Sequence, residues 1–135
     1  MRFYQSMVLL AALVFLGGEL AHGSDIFIIA RADIKLSLDD IRDIYLGDKE
    51  FSGNVRLVPV DNQAAQGEFV AKTLAMSVDR YNTLWTKKAF RDGLNPPAVK
   101  ATDTEVLEFV KQTRGAVGYV SSTPRDKGVI IVGKF

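Results

Sequence analysis

From residue 25 onward the apolar positions alternate between continuous runs and helical spacing, the pattern of helices laid on a small sheet. Asp25-Ile26-Phe27-Ile28-Ile29-Ala30 is unbroken and rich in β-branched residues, which predicts a strand buried on both faces. Leu38, Ile41, Ile44 and Tyr45 share one helical face, with Ser37 at the N-cap and Gly47 as the stop. Val55 to Val60 is a second strand candidate, and Pro59 inside it argues for a sheet edge or a strand end. Phe69, Val70, Thr73 and Leu74 predict a helix. Ser77 caps the next one, which carries Tyr81, Leu84, Trp85 and Ala89 inward.

Arg91 to Pro97 reads as an irregular loop, since its paired prolines suit neither helix nor central strand. Thr102 and Glu105 form a capping box ahead of Val106, Leu107, Phe109 and Val110. Ala116 to Val120 and Gly128 to Val132 are the last two strands. The predicted order is β-α-β-α-α-α-β-β. Gly118 lies inside its strand, where glycine marks a bulge or a close approach. Either a ligand reaches this strand end or a helix covers it closely, and the covering helix is the better reading of the pattern.

The first 23 residues stand apart. Arg2 precedes the apolar run Met7 to Leu16, Gly17-Gly18 interrupts it, and Ala21 and Gly23 place small residues at a cleavage site. This predicts a signal peptide over residues 1–23, a mature domain over 24–135 and a periplasmic location. The lone Arg is a weak n-region, which keeps an uncleaved membrane anchor open as the alternative.

Charge and composition narrow the chemistry. Cleavage removes one Arg, one Glu and the only His, so the balance stays at +1, which argues against nucleic acid as a partner. With no cysteine and no histidine left, the common zinc sets, a Ser-His-Asp triad and disulfides are all ruled out. Asp39, Asp40 and Asp43 resemble a carboxylate cluster, but their place at the start of a short helix makes capping the better account. Tyr81 and Trp85, four apart, read as core rather than as an aromatic platform. The expectation is a protein that is not an enzyme and needs no cofactor.

Six motifs in order carry a resemblance. Ser37-Leu38 through Ile44-Tyr45-Leu46-Gly47, then Val58-Pro59-Val60-Asp61, Phe69, Tyr81 to Trp85 with Phe90, Pro96-Pro97, and Gly115-Ala116-Val117-Gly118-Tyr119-Val120 resemble the periplasmic phosphate-binding proteins of ABC transporters. The likeness is greatest to the short, single-domain members. It implies an α/β fold, a single lobe of the type 2 periplasmic-binding-protein-like class, with a small mixed sheet covered by helices. It also implies a role related to phosphate transport, with phosphate or another oxyanion bound near Asn62, Gln63, Gln66, Tyr119 and Ser121. The chain departs from the family where an Arg and a Ser-Gly-Thr segment grip the anion, since Asp61-Asn62-Gln63-Ala64-Ala65-Gln66-Gly67 stands there.

Hydrogen bonds to charged groups contribute about 1.5–3 kcal/mol each, so losing three costs roughly 5–9 kcal/mol of affinity. Two readings follow. One is an anion-binding lobe, completed by a second protomer or another protein. The other is an interaction module that has lost its anion and docks on an envelope membrane protein or on itself.

Overall fold

The computed structural model describes residues 25–135, so the expected signal peptide lies outside the described residues. Seven strands and four helices follow in chain order: β1 (Phe27–Arg31), α1 (Leu38–Tyr45), β2 (Phe51–Ser52), β3 (Val55–Arg56), β4 (Val58–Asn62), α2 (Gln66–Phe69), α3 (Val78–Asp92), β5 (Ala98–Lys100), α4 (Asp103–Gln112), β6 (Ala116–Val120) and β7 (Val129–Lys134). A π-helical turn, Val70–Leu74, extends α2. Five strands form one sheet in the order β5-β4-β6-β1-β7. β4 is parallel to β5 and β6, whereas β1 is antiparallel to β6 and β7, so the sheet is mixed.

Strand alternation sorts the core into two layers. Ile28, Val117 and Tyr119 face α1, α2, the π turn and α3, which contribute Ile44, Tyr45, Phe69, Leu74, Tyr81 and Trp85. Ile29, Val60, Ala116 and Val120 face α4, which contributes Val106 and Val110. The apolar run at β1 is therefore buried on both sides, as its composition predicts, and Ile28, Ile29 and Ala30 are fully shielded. Tyr81 and Trp85 are core residues, and the Trp85 indole N–H donates to Tyr45 O at 3.0 Å.

Gly118 is explained by α4. A Cβ there would lie 2.7 Å from Val106 Cγ1 and 3.1 Å from Val110 Cγ2. The glycine lets the helix seat on the strand, and the covering-helix reading holds.

Two expectations need correction. Val55 to Val60 is two strands, because β3 turns back on β2 and β4 starts only at Val58. Pro59 is the second residue of β4, so of the two places its sequence allowed the strand end holds, and it is paired in register with Val117. The backbone explains how. Val58 N–H donates to Gly115 O at 2.8 Å, toward β6, so the next nitrogen, that of Pro59, faces the β5 side. β5 begins at Ala98, opposite Val60, and no partner is denied a donor. The second correction is β5 itself, a three-residue strand behind the Pro96-Pro97 pair that no pattern in the sequence announces.

Beyond the Pro59–Val117 pair, side chains take over from the β4–β6 ladder. The Tyr45 hydroxyl lies 2.8 Å from Val60 O and 3.1 Å from Val117 O, one hydrogen shared between two carbonyls. Asn62 Nδ2 donates to Tyr119 O at 3.0 Å.

Candidate functional site at the strand ends

The C-terminal ends of β4, β5 and β6 share one edge of the sheet, because those three strands are parallel. In open α/β sheets this is the edge where ligands bind. Asn62 ends β4 and Ser121 follows β6, and the Asp103 carboxylate at the start of α4 joins them. Asn62 Nδ2 donates to Asp103 Oδ1 at 2.7 Å, and the Ser121 hydroxyl donates to Asp103 Oδ2 at 2.8 Å. The Ser121 backbone N–H lies 3.1 Å from Oδ2 and 3.2 Å from Oδ1. Three donors from two strands thus converge on one carboxylate, in the manner they would converge on a small oxyanion.

The five residues singled out from the sequence divide accordingly. Asn62 is fully buried, and its Oδ1 also accepts from Ala64 N–H at 3.1 Å. Ser121 is exposed beside it, and the Tyr119 carbonyl bonds the Asn62 amide. Gln63 is exposed, with its N–H donating to Lys100 O at 2.8 Å. Gln66 opens α2 and lines a groove on the α3 face together with Asp61 and Tyr81. The structure therefore brings Asn62, Tyr119 and Ser121 together and places Gln63 and Gln66 on either side of them.

Sequence reasoning gave two residues here too little weight. Asp103 reads as an ordinary member of a helix start, yet its carboxylate holds the strand ends. The capping box beside it is present in altered form: Thr102 Oγ1 accepts from Glu105 N–H, and the Glu105 carboxylate accepts from Ala101 N–H rather than from the cap residue itself.

Asp61 reads as a charge near the site, and it is a buried carboxylate, 2% exposed. Its Oδ2 accepts from the Tyr81 hydroxyl at 2.8 Å and its Oδ1 from the Tyr119 hydroxyl at 2.9 Å. Burial pushes the Asp61 carboxyl up to about 6, and the two hydroxyl donors offset part of that rise. Burial, with the Asp61 charge beside it, pushes both phenols well above their usual range. Among the described residues no cation pairs with Asp61. The one available signal was a carboxylate placed directly after an apolar strand run, where the next alternation points inward.

The edge carries little positive charge. Lys100 ends β5, and its Nζ lies over the Phe109 ring at 5.2 Å from the centroid. Among the described residues no cluster of His, Cys, Asp or Glu is arranged to hold a metal ion. No helix among them is long and apolar enough to cross a membrane.

Against known proteins the sequence alone finds no counterpart: no family model and no curated protein matches. The fold does. It is similar to the crystal structure, with bound phosphate, of a Clostridium perfringens protein described as a phosphate ABC transporter substrate-binding protein. The TM-score is 0.53 at 20% identity over 81% of this chain. The match spans 45% of that protein, so this chain covers under half of its length. Residues 25–135 thus form a mixed α/β layer, a mixed sheet with helices on both faces, and share that fold with part of the phosphate-bound protein.

Proposed function

We propose that this chain is an exported, non-enzymatic substrate-binding-like protein of the phosphate-transport type, working in the periplasm. It presents the strand-end edge around Asn62, Tyr119 and Ser121 to phosphate or a related oxyanion. The observation that carries the reading is the convergence of the Asn62 amide, the Ser121 N–H and the Ser121 hydroxyl at the ends of parallel strands. The likeness in fold to a phosphate-bound protein supports it. Binding by one copy alone is weak, because the Asp103 carboxylate already takes these donors and its charge opposes an anion. Ligand pockets bury about 70–90% of what they hold, and an open edge does not. A second protomer or an envelope membrane protein therefore completes the cleft.

The same carboxylate favours a second reading, in which the lobe has given up the anion and serves as an interaction module. Calorimetry and amide chemical shifts with phosphate up to millimolar concentrations separate the two. Shifts at Asn62 and Ser121, saturating with phosphate and absent with chloride, establish the first. No heat and no shifts there remove it and leave the second.

A further inference from the structure

On the α3 face of the sheet, away from Asn62 and Ser121, a groove of about 650 Å³ runs between α3 and β5. Tyr81, Trp85, Phe90, Pro97 and Val99 line it, and Asp61 lies at its floor. Phe90 is 94% exposed and Val99 55%, which leaves two large apolar side chains in water on adjacent walls. We propose that this groove docks an extended segment of a partner protein carrying a lysine between apolar residues.

Three observations fix the chemistry of the occupant. β5 is the sheet's edge and pairs only with β4 among the described residues. Lys100 O accepts from Gln63 N–H, on the β4 side, so the alternation turns the N–H and C=O of Val99 outward. An extended segment adds there by backbone hydrogen bonds, with its side chains falling alternately into the groove. Pro97 lacks an N–H and ends the edge, so the added strand is short. The exposed Phe90 and Val99 accept apolar neighbours.

The third observation is charge. Asp61 has no cationic partner in the described chain, and each of its oxygens already accepts one tyrosine hydroxyl. One acceptor site remains on each oxygen, but Asp61 is only 2% exposed, so whatever reaches it must be narrow. A lysine fits this arrangement, since it brings a compact charge on an apolar four-carbon stem. The stem lies along Tyr81 and Trp85 and the ammonium approaches the carboxylate.

This inference uses the α3 face of the sheet, whereas the phosphate reading rests on the Asn62–Asp103–Ser121 cluster; the two share Gln66, which lines the groove, and Tyr119, whose hydroxyl bonds Asp61. The test titrates the protein with a capped five-residue peptide, lysine at its centre between valines, while amide shifts are followed. A matched peptide with norleucine in place of lysine is the control. The lysine peptide is expected to shift Tyr81, Phe90 and Val99 and to bind about tenfold more tightly than the norleucine peptide. Asp61→Asn is expected to abolish that difference. Val99→Lys, at an exposed position that leaves the fold intact, is expected to weaken the lysine peptide more than the control.

Equal binding of the two peptides overturns the proposal, as does an absence of shifts in the groove at millimolar peptide. So does light scattering that shows a dimer which Phe90→Ala dissociates, since a second copy is then the occupant. Phosphate shifts at Ser121 play no part in any of these outcomes, so failure here leaves the phosphate reading untouched.

Discussion

The Tyr119 hydroxyl donates to Asp61 Oδ1 over 2.9 Å, and the ring that carries it stacks on Phe69 with centroids 3.8 Å apart. A carboxylate is thereby held in the aromatic core by a strand residue on one side and by Tyr81 of α3 on the other. Two hydroxyl donors soften the loss of water around the charge without replacing it, which is why burial still dominates.

Stability is expected to fall as pH rises through 6. The Asp61 carboxyl titrates near 3.8 when free and at about 6 in the fold, so the folded state holds its proton more tightly than the unfolded one. The contribution is fully present below the lower value and is lost as pH passes the upper, amounting to about 3 kcal/mol. Urea midpoints at pH 4.5 and 7.5 capture about 2 kcal/mol of it, since pH 4.5 already lies above the free value. Asp61→Asn keeps the shape and removes the charge, so its midpoint is expected to be higher at pH 7.5 and to lose this slope. The same slope in the variant would assign the effect to other groups.

Trp85 is 5% exposed, its indole N–H is bonded to Tyr45 O, and its ring lies where a side chain at Gly47 would otherwise sit. Trp85→Ala is expected to cost about 3–5 kcal/mol, since the cavity cannot close around a helix pinned to a sheet. A denaturant midpoint equal to that of the parent protein would refute the core assignment.

At Gly118 the α4 helix leaves no room for a larger residue. Gly118→Val drives methyl groups into Val60, Val106 and Val110, and overpacking of this kind costs about 1–3 kcal/mol or more. A drop in thermal midpoint, larger for valine than for alanine at this position, is the expected result. Equal midpoints for the two variants would mean that α4 moves away freely.

How much of this is legible in the sequence depends on how local the cause is. The buried run at β1, the helical faces around Tyr45 and Trp85 and the glycine at 118 follow from period and composition. Pro59 marks a strand end as read, but that the strand is an inner one depends on where β5 begins, far along the chain. β5 is hidden by its length and its prolines, and with it goes the true edge of the sheet. At the strand ends, the side-chain types at Asn62 and Ser121 are legible as donors. Nothing local says that Asp103 will reach both of them, since that contact exists only once α4 packs across β4 and β6.

Asp103 offers the sharpest trial of the strand-end site. Asp103→Ala removes the acceptor shared by Asn62 Nδ2, the Ser121 N–H and the Ser121 hydroxyl. The half-satisfied Asn62 amide is buried, so the variant is expected to lose about 1–3 kcal/mol in buffers without phosphate. If the edge is an anion site, phosphate takes the vacated place without facing the carboxylate's charge. The thermal midpoint of the variant then rises with phosphate concentration, at matched ionic strength, more steeply than that of the parent. A variant that is destabilised yet indifferent to phosphate would make Asp103 a fastener of α4 and nothing more. The donors at this edge would then serve the fold alone.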